Sequence, residues 1–189
     1  MGPKSTDTLL SSSVSVPQYR ALEKEESRDE IANFIYERFN ERYIRPFDKN
    51  AKKNGFIMMA SACLMIESLE SFWQGWRKSP NSALAFCQFF DRNDRFRAIR
   101  GHSQKFYVNI RCGIMHQGET TGGWHIRRDR RFLFEPATTT IDATRFLKEM
   151  DCCLSEYCDL LRVSEWNSDV WKNLRKKMNA VCANSKREA

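Results

Sequence analysis

Arg111-Cys-Gly-Ile-Met-His116 sets a guanidinium five residues ahead of an imidazole. Arginine keeps its charge and offers phosphate a planar fork of donors, while histidine gives or takes a proton near neutral pH. Such a pair suits cleavage of RNA without a metal. The cation would steady charge growing on the phosphoryl oxygens, and the imidazole would move the proton of a ribose 2′-hydroxyl. Spacing alone is a weak sign: with 19 arginines and three histidines in 189 residues, about 0.3 such pairs are expected by composition. The chain has two, the other being Arg97 and His102. Context favours Arg111 and His116, because the apolar-periodic segment Phe106 to Ile110 before them predicts a helix held by the core, and rigid support is what a catalytic pair needs. Arg97 and His102 straddle a helix break at Gly101.

Five residues turn an ideal helix by roughly 140°, so Arg111 and His116 do not share one face of an undistorted helix. Either Gly113 permits a kink, or two chains contribute to one cleft, as a symmetric homodimer packing this segment on its own copy would allow. Around the pair, Cys112, Gln117 and Glu119 are candidate supporting groups, and Glu67 is a candidate partner for an arginine, although both Glu67 and Glu70 also fit a solvated edge. Arg127, Arg128, Arg130 and Arg131 are candidate RNA-binding cations, with Trp124 available to stack on a base. Their bland alternative is a solvated face with Trp124 in the core. His125 reads as structural.

The elements that must position these groups are mainly helical. Residues 1 to about 25 show no helical period and read as a flexible N-terminal tail. Residues 26–163 read as a bundle. Its first amphipathic helix carries Ile31, Phe34, Ile35, Phe39 and Tyr43. A helix from Phe56 to Trp76, apolar nearly all round at its start, must be covered on most sides and so lies at the centre. Asn81 or Ser82 caps a third helix through Phe86, Phe89 and Phe90, and a fourth follows Gly101-His102-Ser103 and carries the Arg/His pair. Between about 118 and 138, two alternating strings, Trp124-His125-Ile126 and Arg131 to Phe134, predict a small hairpin about Arg128-Asp129-Arg130. Thr140 or Asp142 caps the next helix, and residues 164–189 form a last helix with a polar tail. The fold class expected is all-α: an antiparallel bundle with a hairpin insertion and an extra C-terminal helix.

The formal charge of +7, from 31 Lys+Arg against 24 Asp+Glu, favours a phosphate-bearing or acidic partner. Seven cysteines, an odd number without a Cys-x-x-Cys pair, fit free thiols in a reducing compartment better than a zinc site or disulfide framework. No apolar segment resembles a secretory signal, and the run Phe56 to Ile66 is too short to span a bilayer, so a cytoplasmic protein without membrane contact is expected. There is no Gly-rich phosphate loop, His-Glu-x-x-His or Gly-x-Ser-x-Gly, and neither metal nor cofactor is expected.

The apolar helix with Ile66-Glu67-Ser68-Leu69-Glu70-Ser71-Phe72, then Phe106-Tyr107 and Arg111-Cys-Gly-Ile-Met-His-Gln-Gly-Glu-Thr120, resembles bacterial proteins of the HEPN superfamily over about residues 28 to 163. Their signature is an Arg, four to six residues, then a His. The resemblance implies an all-helical, dimerising bundle whose paired motifs form a metal-independent endoribonuclease, often a toxin or a defence against phage and plasmids, with an antitoxin or defence protein as partner. Family nucleases often have Asn, Asp or His after the Arg, where this chain has Cys112. Other members bind RNA or nucleotides without cutting, as sensors or accessory subunits.

Overall fold

The computed structural model describes residues 8–48 and 54–185. The chain is mainly helical, with one small sheet. The segment expected to be a flexible tail is packed from residue 8 onward. Helix α1, Val16–Lys24, starts at Ser15, whose backbone N–H donates to Gln18 Oε1 at 2.8 Å, with Pro17 in its first turn. Tyr19 is fully buried and Leu10 nearly so, and the Leu10 carbonyl accepts from Arg38 and, at 2.8 Å, from Arg42. Two isolated anchors have no period, which is why the sequence pattern misses them.

Helix α2, Arg28–Phe39, runs on into a wide π-helical turn, Asn40–Ile44. Helix α3, Gly55–Gln74, is the central rod expected from its all-round apolarity and packs on α4 (Ser82–Arg92), α8 (Ala143–Val163) and α9 (Asp169–Asn184). At 20 residues it is long and apolar enough to cross a membrane, but 56% of that span is buried inside the protein, which accounts for its composition. Asn81 caps α4, its side chain accepting from Leu84 N–H at 3.2 Å. Glu70 is not a solvated edge: it is fully buried and takes a two-pronged bond from Arg92, at 2.5 and 2.6 Å.

After the short helices α5 (Arg97–Arg100) and α6 (Ser103–Phe106), the backbone stays helical through a π-helical stretch, Tyr107–Cys112, into α7, Gly113–Gln117. Phe106 anchors this run by stacking on Phe146 at 5.5 Å, within a ring cluster that includes Phe86, Phe90 and Phe96. Phe106 and Ile110 are both fully buried. Each such side chain contributes about 1.5–3 kcal/mol, enough to fix where the residues after it emerge.

The two alternating strings do not form a hairpin with each other. Strands β1 (His125–Arg127) and β2 (Phe134–Glu135) instead flank a central β3 (Thr140–Asp142), parallel to β1 with His125 opposite Thr140, and antiparallel to β2 with Phe134 opposite Ile141. The third strand was hidden because Asp142 does two jobs. It ends β3 and caps α8, with Oδ1 accepting from Arg145 N–H and Oδ2 from Arg130 N–H, both at 2.8 Å.

Candidate functional site

Arg111 leaves the π-helical stretch toward α3. Its Nε donates to Glu67 Oε1 at 2.8 Å, and Ser82 Oγ donates to Glu67 Oε2 at 2.9 Å, so both carboxylate oxygens are engaged. Tyr107 lies one turn earlier, its ring 5.8 Å from the Arg111 guanidinium carbon. The Arg111 and Glu67 side chains are each 18% exposed. Burial works against the Arg111 charge, but the hydrogen bond and charge of Glu67 prevail and raise its pKa. The Cys112 thiol beside the Tyr107 hydroxyl, together with burial, raises the tyrosine pKa. Arg111, Glu67, Ser82, Tyr107 and Cys112 thus form one polar cluster. Among the described residues the two terminal guanidinium nitrogens of Arg111 have no hydrogen-bond acceptor; sequence reasoning took Ser82 only as a possible helix cap and Tyr107 only as part of the motif, neither as a site residue. Tyr107 had a usable signal, four residues before the arginine; Ser82 had none.

His116 is not part of that cluster. It is exposed, and among the described residues it has no hydrogen bond, ion pair or ring partner. Ile114 between them is buried while Met115 and Gln117 are exposed, so one chain sends Arg111 against α3 and His116 to solvent. Of the two alternatives the spacing left open, a kink at Gly113 is not seen, the backbone there being helical with φ −56 and ψ −54. The departure from α-geometry lies upstream, in the π-helical turn that carries Arg111, where such turns often mark functional sites.

Gly113 has a different duty. A Cβ on it would sit 2.5 Å from the Glu119 carbonyl oxygen, so the loop after the motif rests directly on its backbone. That loop is pinned further. Thr121 N–H donates to Asn109 O at 3.0 Å, Thr121 Oγ1 to Asn109 Oδ1 at 3.0 Å, and Thr120 Oγ1 to Trp124 O at 2.6 Å. Gly122, at φ 59, packs on the Asn109 amide and has no room for a side chain. Asn109 and Thr121 were missed by sequence reasoning, since nothing in a Thr-Thr-Gly-Gly string distinguishes a fixed loop from a loose one.

The pinned loop forms one wall of a cleft of about 610 Å³, with Glu119 and Thr120 facing Gly55 and Phe56 at the start of α3 and His125 to Asp129. The outward face of β1 supplies His125 and Arg127, both exposed. His125 is therefore a cleft residue rather than a structural one, and the alternation of the strand carried that signal. Among the described residues Arg127 has no acceptor. Arg128 also lines the cleft but is engaged, donating to Asn54 Oδ1 at 2.6 Å and Thr144 Oγ1 at 3.1 Å and so tying α3 to α8. Arg130 and Arg131 lie outside the cleft wall; Arg130 meets Asp129 at 3.7 Å, and Arg131 lies over the exposed Phe132 ring at 5.5 Å. Trp124 is corrected outright. It is 3% exposed and stacked on Phe134 at 5.3 Å, so its ring face is occupied by protein and is not open to a base.

The second Arg/His pair forms no site: Arg97 is exposed, and His102 packs edge-on against Phe134 at 5.2 Å. All seven cysteines are free, and four are buried, namely Cys63, Cys153, Cys158 and Cys182. Among the described residues no group of three His, Cys, Asp or Glu side chains is placed to hold a metal ion. Comparisons with family models, curated proteins and solved structures find no match to this chain.

Proposed function

We propose that this chain is a metal-independent endoribonuclease of HEPN type, a helical bundle that acts as a homodimer in a toxin or phage-defence role. The observation that carries the reading is the division of labour on one short helix. Arg111 is charged and oriented by Glu67 with terminal nitrogens to spare, while His116, a turn later, is exposed and uncommitted. One chain offers each half without closing them on a common target. Exposed apolar side chains, Leu64 one turn before Glu67 on α3, Val108 one turn before Arg111 and Met115 beside His116 in the chain, suit burial against a second copy. The cleft with Arg127 and His125 adjoins the same loop and suits an RNA backbone.

In the reaction, His116 takes the proton of the 2′-hydroxyl as that oxygen attacks the adjacent phosphorus. Water supplies the proton to the departing 5′-oxygen. Arg111 donates to the phosphoryl oxygens as charge collects there, its side chain already fixed by Glu67. The products are a 2′,3′-cyclic phosphate and a 5′-hydroxyl. DNA lacks the nucleophile and stays intact.

The test is cleavage of labelled RNA in excess EDTA by the wild type, Arg111→Ala, His116→Ala and a mixture of the two variants. Each variant alone is expected to be inactive. If Arg111 of one protomer works with His116 of the other, the mixture regains about a quarter of wild-type activity, since half the dimers are mixed and each holds one intact site of two. Activity abolished by EDTA, or unchanged in both variants, refutes the mechanism. Saturable, salt-sensitive RNA binding without cleavage by the wild type leaves a silent RNA-binding module instead.

A further inference from the structure

A second basic groove lies at the other end of α3. It encloses about 450 Å³ and is lined by Arg77, Lys172, Arg175, Lys176, Asn179 and Ala180, with four cations and, among the described residues, no carboxylate in its wall. The chain builds it deliberately close. Gly75, at φ 64, turns the end of α3 onto α9, where a Cβ would meet the Asn173 Oδ1 at 2.8 Å, and Asn173 Nδ2 donates to Trp73 O at 2.8 Å. This brings Arg77 beside α9, with Lys177 Nζ donating to its carbonyl at 3.3 Å.

On α9 the exposed Lys172 and Lys176 are four apart and share a face, a like-charged spacing that weakens a helix unless something neutralises it. Arg175 is oriented in advance. Its guanidinium carbon sits 4.4 Å from the Trp166 ring centre, and one terminal nitrogen donates to Trp166 O at 2.7 Å. Among the described residues two carboxylates are tied to this surface or its neighbours. Asp169 meets Lys172 at 3.5 Å with its own side chain 95% exposed, and Glu23 holds Arg20, which also donates to Asn179 Oδ1 at 2.5 Å. Lys177, half-buried behind the groove, has its pKa lowered by burial and further by the charge of Arg38.

We propose that this groove binds the phosphodiester backbone of single-stranded nucleic acid, as a second footprint for the strand whose other part lies in the Arg127 cleft. The identity of the polyanion rests on the ribonuclease reading; the existence of an anion site does not. A 20-residue helix separates the two grooves by about 30 Å, so only a strand that reaches across α3 engages both.

The experiment measures binding of labelled single strands, RNA and its uncuttable all-deoxy counterpart, by fluorescence anisotropy across salt concentrations. Wild type is compared with Lys172→Glu/Lys176→Glu, whose fold is checked by circular dichroism and melting temperature. For strands of about 20 nucleotides the variant is expected to lose at least about tenfold in affinity. Its plot of log K against log salt should flatten by about 1.4, the loss of two phosphate contacts. Strands of about four nucleotides fit one groove and cannot bridge both, so they keep binding in the Arg127 cleft and their loss of affinity in the variant should be smaller than that of the long strands. A folded variant with wild-type affinity and salt slope on the long strands overturns the proposal. So does tighter binding of a poly-glutamate peptide than of the long strand, with only the peptide lost in the variant, since the groove then serves an acidic protein. If the wild type cuts no RNA while the variant still weakens binding, the ribonuclease reading falls and the groove stands.

Discussion

Gly113→Ala sets two effects of similar size against each other at the centre of the candidate site. In an isolated helix, alanine is favoured over glycine by about 0.8–1.0 kcal/mol. Here the added Cβ would lie 2.5 Å from the Glu119 carbonyl oxygen, and contacts under 3.0 Å are essentially never seen, so that carbonyl must move by at least 0.5 Å. It is not free to do so. Thr121 is bonded twice to Asn109, Thr120 to Trp124 O, and Gly122 rests on the Asn109 amide. Forcing a fixed backbone aside costs about 1–3 kcal/mol, which exceeds the propensity gain over most of its range. The net expectation is a destabilisation of about 0–2 kcal/mol, a fall in melting temperature of up to about 8 °C for a chain of this size. Differential scanning calorimetry reads the shift, and RNA cleavage should fall more than stability alone explains, because the displaced loop carries Glu119 and Thr120 into the cleft. A melting temperature above that of wild type, the full gain of the helix propensity, refutes the packing of the loop on the motif helix.

Two further outcomes test the placement of side chains. Trp124→Ala is expected to destabilise the chain by about 3–5 kcal/mol, and Trp124→Phe by much less, with RNA affinity of the phenylalanine variant unchanged; a large affinity loss at unchanged stability would return the ring to the RNA. Burial pushes the Cys153 and Cys158 thiols up from 9.0 to about 12. A raised folded-state pKa means the unfolded chain gives up these protons first, so stability is intact below about pH 9 and declines between about 9 and 12, by about 1.4 kcal/mol per pH unit per thiol. Urea titrations across that range check the slope, and Cys158→Ala should flatten it; no change in slope refutes the assignment.

What the sequence determined by itself was whatever repeats or stands in a local pattern. The all-round apolarity of residues 56 to 66 required a central helix, the periods of α2, α4 and α8 were present as written, and the buried anchors Phe106 and Ile110, one turn apart, fixed where the Arg/His motif must emerge. Strand alternation even placed His125 and Arg127 on one face, although only Arg127 was read as functional. What tertiary structure decided was everything set by a single contact between distant residues. Leu10 and Tyr19 become core because other elements leave room for them, and Trp124 is occupied because Phe134 stacks on it. Glu67 becomes the Arg111 partner through a bond spanning 44 positions, and Gly113 is required by a carbonyl six residues on rather than by its own dihedral angles. Local propensity is summed over neighbours in sequence and so leaves a pattern; a one-to-one fit between remote groups leaves none. The arginine and histidine were therefore legible as types, but their separation, one held against α3 and the other turned to solvent, appears only once the chain is folded.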